Sequence, residues 1–298
     1  MPEESRFSKR IEKKQIENDT LLVVGLDSDF TKIPEIFKEE ELPQYAFNKA
    51  VIDVTKDLVC AYKIQMAFYE ERGLEGYRSL LKTLSYIAGK VPLIGDGKRN
   101  DIGNTSRAYA RAFYTTLGFD AVTLNPYLGF ESIAPFLYEK EKAVFVLVRT
   151  SNPGSSFLQN VLVKEQDSKK GKPFYLHLTT HFLENYYKLK KKAEKEGLEI
   201  AELGFVAGAT HPKELKELRK VVEEETLILI PGIGAQGGDL KHSVKYGTNR
   251  VGRGVLINSS RGIIFPDEKN KKEKDIELIQ ERIRNASKSL KNEINKFR

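Results

Sequence analysis

Short apolar, β-branched runs recur along the chain, and each is followed by a segment whose apolar residues return every three or four positions. The runs are Leu21–Leu26, Leu58–Ile64, Val91–Gly95, Phe119–Leu124, Ala143–Val148, Leu203–Ala207, Leu227–Ile230 and Gly254–Ile257. Runs that are apolar at consecutive positions suit strands covered on both faces, as in a parallel sheet. Between them, Phe47, Val51, Val54 and Leu58 mark a helix over Tyr45–Lys56, and Tyr77, Leu80, Leu81 and Leu84 mark one over Gly76–Ala88. Pro212 sits just inside the start of a helix over Lys213–Glu225, where its missing N–H costs nothing. Eight β-then-α units in about 250 residues predict a (β/α)8 TIM barrel, an α/β fold in a single domain. A doubly wound sheet is the alternative, and the count of eight favours the barrel.

Residues 150–202 make one unit too long. They predict a polar surface loop over Lys164–Pro173 and a charged helix over Phe174–Glu196, together a helical insertion after strand 5 at about 160–200. From Asp267 onward a second charged helix is expected, with Ile276, Ile279, Ile283 and Leu290 as a thin apolar stripe. The barrel should thus occupy about 20–265 and the C-terminal helix about 267–298.

Composition narrows the class. A chain of 298 residues, 40% hydrophobic and 31% charged, is too apolar to stay disordered. Its one cysteine, Cys60, excludes an intramolecular disulfide and a cysteine zinc cluster, and fits a cytoplasmic location. Apolar runs such as Ala143–Val148 fall far short of the ~20 residues of a membrane helix, and Met1–Asn18 is charged with no apolar signal core. The net charge of +7 alone would admit a nucleic-acid-binding protein. Yet Lys164–Ile200 and Asp267–Arg298 each carry a net +3, so most of the excess lies on helices away from the strand ends. No nucleic acid and no membrane are expected as partners.

In a barrel of this kind chemistry gathers at the C-terminal ends of the strands. Asp27 ends the first run, Lys63 the second, and Asp96 and Lys98 follow the third two residues apart, on one face. These four side chains should converge on one mouth. A solvated rim of salt bridges, worth ~0–1 kcal/mol per exposed pair, is the plain alternative.

The stretch Asp96-Gly97-Lys98-Arg99-Asn100-Asp101-Ile102-Gly103-Asn104-Thr105 resembles the third-strand signature of orotidine 5′-phosphate decarboxylases, in the longer subfamily with a Lys-Arg-x-Asp-Ile-Gly-x-Thr form. The resemblance continues in order over about residues 20–265. It takes in Gly25-Leu26-Asp27, Lys63 with Ala67-Phe68-Tyr69-Glu70, Thr150-Ser151-Asn152-Pro153-Gly154, Gly208-Ala209-Thr210-His211-Pro212, Pro231 to Gly238, and Ser259-Ser260-Arg261-Gly262. Gly97 stands where alanine is more usual, a change expected only to loosen the backbone, and Gln65 where asparagine can occur.

The resemblance implies decarboxylation of a nucleotide substrate, orotidine 5′-phosphate, to UMP in pyrimidine biosynthesis, with no metal and no organic cofactor. Lys98 would be the proton donor to C6, in an alternating array Lys63–Asp96–Lys98–Asp101. Asp27 and Gln65 would lie against the substrate and Thr150, with Ser151 behind it, against the pyrimidine. Gln236, Ser260 and Arg261 would hold the phosphate, and the loop bearing Asp239 could act as a lid. Asp101, Ile102 and Thr105 would complete the site of a partner subunit, which requires a homodimer; capping of a helix over Thr105–Leu117 is the plain reading of Asp101.

Rival readings remain at this point. Related phosphate-binding barrels share Asp-x-Lys-x-x-Asp but use Mg²⁺ on sugar phosphates; Arg99 and the loops at Thr150–Gly154 and Gly232–Gly238 favour the pyrimidine enzyme. A Schiff-base aldolase using Lys63 or Lys98 is a second rival. The G-x-G-x-x-G at Gly232–Gly237 follows a strand, but no Asp or Glu occurs from Leu240 to Pro266, as a dinucleotide site would require. His177 and His181 have a metal-ligand spacing without an intervening Glu, and read as packing or surface residues. His211 reads as a helix-start residue.

Overall fold

Each of the eight runs becomes a strand: β1 (Leu22–Gly25), β2 (Ala61–Gln65), β3 (Leu93–Arg99), β4 (Ala121–Leu124), β5 (Ala143–Arg149), β6 (Glu202–Ala207), β7 (Ile228–Ile230) and β8 (Val255–Ser259). The computed structural model describes residues 6–164, 171–234, 237–266 and 271–298. All eight strands are parallel and close into a barrel in the order β1-β8-β7-β6-β5-β4-β3-β2. The consecutive apolar residues have two destinations. Val23, Ala61, Ile94, Ala121, Val206 and Leu256 point into the barrel, while Val24, Ile64, Val122, Val146, Ile230 and Ile257 lie beneath the outer helices.

A helix absent from the sequence reading, α1 (Phe7–Glu17), closes the N-terminal end of the barrel. Its charged sequence hid it, because only Phe7, Ile11 and Gln15 are buried. Phe7 packs edge-on against Phe145 at 6.0 Å, and the Gln15 side chain donates to the Val255 carbonyl at 2.8 Å. Ser8 bonds Glu202, and Arg10 pairs with Asp120 at 2.8 Å.

The outer ring comprises α2 (Pro43–Thr55), α3 (Gly73–Ile87), α4 (Gly103–Arg111), α5 (Phe130–Leu137), α6 (Phe174–Lys195), α7 (Pro212–Val221), α8 (Leu240–Gly247) and α9 (Ile276–Asn295). Two of these correct the expected layout. The charged helix assigned to an insertion is α6, the fifth outer helix, with Tyr175, Thr179, Phe182 and Leu183 buried against β5, β6 and α7. What is added to a bare βα unit is the chain before it: a turn at Pro153–Ser155, one helical turn at Ser156–Gln159, and the pairing of Leu162–Val163 with Lys172–Pro173. Residues 165–170 of the expected loop lie outside the described residues. Likewise the expected tail helix is α9, which packs on α2 and completes the ring. Ile279, Ile283, Ser287 and Ile294 are its buried residues, while Ile276 faces out and Asp275 caps its start by accepting from the Leu278 N–H. In α3 the buried face is Gly76, Ser79, Leu80, Thr83, Leu84 and Ile87; Tyr77 and Leu81 point to solvent.

Candidate active site

Strand β3 runs on through Arg99, so Asp96 and Lys98 belong to the strand itself and not to the turn after it. Asp96 is the hub. Its Oδ1 accepts from Lys98 Nζ at 2.6 Å and from the Thr123 hydroxyl at 2.8 Å. Its Oδ2 faces Lys63 Nζ at 3.1 Å and accepts from Gln65 at 3.3 Å. Lys63 also donates to Asp27 Oδ1 at 3.0 Å. Within one chain the four expected side chains thus meet, in the order Asp27–Lys63–Asp96–Lys98.

Burial sets the strength of these pairs. Desolvation alone would lower the Lys63 pKa, but the charges of Asp27 and Asp96 outweigh it and hold the ammonium well above its ordinary range. Desolvation would raise Asp96, but Lys63 and Lys98 pull it well below the usual carboxylate range. Both groups stay ionised at neutral pH.

Lys98 has a left-handed backbone, φ +47°, uncommon for a residue with a side chain. Its neighbours explain the turn. Between β3 and β4 the pairing jumps from Gly95↔Val122 to Arg99↔Leu124, so three residues of β3 lie opposite Thr123 alone. Gly97 fills a spatial need there: a Cβ at this position would meet Phe113 Cζ at 2.6 Å, so the expectation that glycine merely loosens the backbone is corrected. Arg99 pairs with Glu70 from the segment after β2 and lies over the Phe113 and Tyr109 rings.

These side chains line a cavity of about 1140 Å³ at the C-terminal end of the barrel. Leu147, Val206 and Leu229 form its apolar floor. Gln65, Thr150, Ser151, Ser260 and Arg261 line it too. The Thr150 hydroxyl donates to Asn152 at 2.6 Å and accepts from Gln159 at 2.8 Å, and Gln159 Oε1 takes the Thr150 N–H at 2.8 Å. Gln159 in turn is held by the buried Arg149, which also binds Ser155 and Ser156. On the opposite side Ser260 precedes a helical turn at Arg261–Ile264. Its Oγ would lie 1.9 Å from a Cβ on residue 25, which is why the Gly25-Leu26-Asp27 segment begins with glycine.

Gln236 lies outside the described residues, so its expected phosphate contact is not placed. The flanking Gly232, Gly234 and Gly237 all have left-handed backbones, a shape that admits close approach to a ligand. Asp239 serves as a cap, accepting from the His242 N–H at 3.0 Å.

Asp101, Ile102 and Thr105 stand outside this cavity, and Ile102 is 53% exposed. The Asp101 carboxylate accepts from the adjacent Ile102 N–H, and the residue preceding α4 is Ile102, so Asp101 does not cap that helix. The helix expected over Thr105–Leu117 is α4 followed by a wider turn at Ala112–Thr116. Cys60 is buried within the barrel, and burial pushes its thiol up to about 12. His181 faces the cavity mouth beside Asn185. Among the described residues no three His, Cys, Asp or Glu side chains are grouped as a metal site.

The sequence reading missed Thr123, Arg149 and Gln159. Thr123 had a signal, being one of two polar residues, with Asp120, inside the fourth apolar run. Arg149 closes the fifth run with a charge, and Gln159 carried no signal.

The model of the orotidine 5′-phosphate decarboxylase / HUMPS family matches residues 20–276. Orotidine 5′-phosphate decarboxylase of Thermomicrobium roseum is 38% identical over 288 residues, covering 97% of each chain. The structure of Leishmania donovani OMP decarboxylase superimposes with a TM-score of 0.76 at 30% identity, covering 98% of both chains. Leishmania donovani UMP synthase gives 0.77 at 32% identity, with 97% of this chain spanning 56% of that longer one.

Proposed function

The chain belongs to the orotidine 5′-phosphate decarboxylase / HUMPS family and catalyses the decarboxylation of orotidine 5′-phosphate to UMP, and we propose that Lys98 delivers the proton that takes the place of the lost carboxylate. The observation that carries the assignment of roles is the chain of contacts Asp27–Lys63–Asp96–Lys98 at the cavity wall.

Loss of CO2 leaves an electron pair at C6 in the plane of the pyrimidine, at right angles to the ring π system, which therefore cannot spread it. An ammonium beside C6 stabilises that charge and then supplies the proton, combining electrostatic and general-acid catalysis. Lys98 suits this task because its side chain is 44% exposed, whereas Lys63 at 4% is locked between two carboxylates. Asp96, held ionised, faces the substrate carboxylate and disfavours the ground state. Proton transfer leaves Lys98 as a neutral amine, which regains its proton from solvent.

Phosphate belongs after strands seven and eight. Arg261, the backbone N–H groups from Ser260 to Gly262, and Gln236 are proposed to hold it, with Arg261 offering a fork of donors. Grip on this unreacting group supplies binding energy that is spent at C6. Asp27 and Gln65 are assigned to the ribose side, and the Thr150–Ser151 segment to the pyrimidine. The place a divalent cation would take beside Asp27 and Asp96 is filled by two ammonium groups, and no metal or organic cofactor is proposed.

We further propose a homodimer in which Asp101, Ile102 and Thr105 complete the partner's site. Their position outside their own cavity, with Ile102 exposed, supports this. A cytoplasmic setting belongs to the same proposal, in keeping with a single buried thiol. The test is loss of orotidine 5′-phosphate absorbance with and without chelator. Turnover insensitive to chelator is expected; activity that vanishes with it would overturn the metal-free assignment.

A further inference from the structure

We propose that Thr123 is a positioning residue for the decarboxylation: its one hydroxyl ties the Asp96 carboxylate to the Lys98 backbone and keeps Asp96 in place when the Lys98 ammonium turns to the substrate.

The hydrogen bonds have a fixed direction. Ionised Asp96 has no proton to give, so the Thr123 hydroxyl donates to Oδ1 at 2.8 Å. The hydroxyl oxygen then accepts the Lys98 N–H at 3.1 Å. Thr123 is 2% exposed, so neither bond competes with bulk water.

The register explains why a side chain is needed. Asp96, Gly97 and Lys98 all lie between the pairs Gly95↔Val122 and Arg99↔Leu124, opposite the single residue Thr123. Strand pairing resumes only where the Asn125 N–H reaches the Arg99 carbonyl at 3.0 Å. The Thr123 hydroxyl bridges that bulge. A left-handed backbone persists at a residue such as Lys98 only where its surroundings over-determine it, and such residues cluster at working sites.

The division of Asp96 between its two oxygens gives the hydroxyl its dynamic part. Oδ2 is held by Lys63 and Gln65, neither of which moves in the reaction as assigned. Oδ1 is shared by Lys98 and Thr123. As Lys98 turns toward C6, Thr123 becomes the remaining donor on Oδ1 among the described residues. Without it Oδ1 keeps no donor among the described residues, and only the Lys63 and Gln65 contacts at Oδ2 resist rotation after the lysine.

This inference rests on the decarboxylase assignment, so wild-type turnover is measured first; its absence would overturn both. Thr123→Val removes the hydroxyl at nearly constant volume. The expected result is a kcat lowered by about 10- to 100-fold, as for a displaced catalytic group, with KM and UMP affinity little changed. Thr123→Ser should recover most of the lost kcat. A merely structural role would move KM, UMP affinity and the denaturation midpoint together. The proposal fails if Thr123→Val keeps kcat near wild type, if the loss falls in KM, or if Thr123→Ser is as poor as Thr123→Val. Should Thr123→Val not fold, Thr123→Cys, with a weaker donor of similar size, is read on the same scale.

Discussion

Lys63 and Lys98 hold Asp96 from opposite oxygens, at 3.1 and 2.6 Å, yet only Lys98 keeps a path to solvent. On the proposed mechanism one lysine is scaffold and the other reagent. Lys98→Ala should lower turnover of orotidine 5′-phosphate by about 10³-fold or more, since it removes a charge and an acid together. UMP affinity and the circular dichroism spectrum should persist. Near-normal turnover would show that the proton comes from elsewhere.

Asp96 links the site to acid stability. Its pKa is lowered on folding, so its contribution is full above the ordinary value of 3.8 and is lost as pH falls toward the lower folded value. Asp96→Asn should be less stable than wild type at neutral pH. The gap in denaturant midpoint should narrow between about pH 5 and about pH 2. A gap that stays constant over that range would mean that Asp96 gains nothing from its two lysines.

Gly97→Ala tests the space beneath Lys98. The new Cβ would meet Phe113 Cζ at 2.6 Å, and displacing that ring disturbs Phe119 and Arg99, which pack against it. A loss of about 1–3 kcal/mol is expected from overpacking. Adding Phe113→Leu should recover part of the loss in midpoint and in turnover. Equal damage in the single and double variants would show that the ring is not the obstacle.

Gln159→Ala frees the Thr150 N–H and removes the donor to its hydroxyl, which keeps its bond to Asn152. The pyrimidine side of the cavity should lose its shape, raising KM by about 10-fold. Affinity for inorganic phosphate should not change. Parallel weakening of nucleotide and phosphate would place the effect in global stability.

A site shared between subunits makes a mixing prediction. Asp101→Ala and Lys98→Ala proteins, each inactive, should regain activity once their subunits exchange, because some dimers then carry one intact site. No recovery after exchange has been verified by mass would place Asp101 outside the partner's site.

The barrel was legible because eight runs of consecutive apolar residues have few other homes than strands covered on both faces. The site was legible where residues such as Asp27, Lys63 and Asp96 put charges at the ends of those runs. Three things were not. Helix α1 buries a narrow stripe beneath a charged surface, so its sequence resembles a solvated tail. Helices α6 and α9 looked like additions because charge dominates their composition, although Phe182 and Ile283 place them in the ring. The bulge opposite Thr123 depends on strand pairing, which no local pattern encodes.

The barrel interior is apolar from Phe7 and Phe145 up to Leu147, Val206 and Leu229, and polar above them at Lys63, Asp96 and Thr123. A barrel of this kind is ordinarily filled by stacked layers of side chains. Here the bound nucleotide would serve as the uppermost layer, a removable piece of the core. Occupancy and folding then become one equilibrium: ligand at a hundred times its Kd adds ~2.7 kcal/mol of stability. Nucleotide supply would in this way set how long each copy of the protein survives proteolysis, as well as how fast it works.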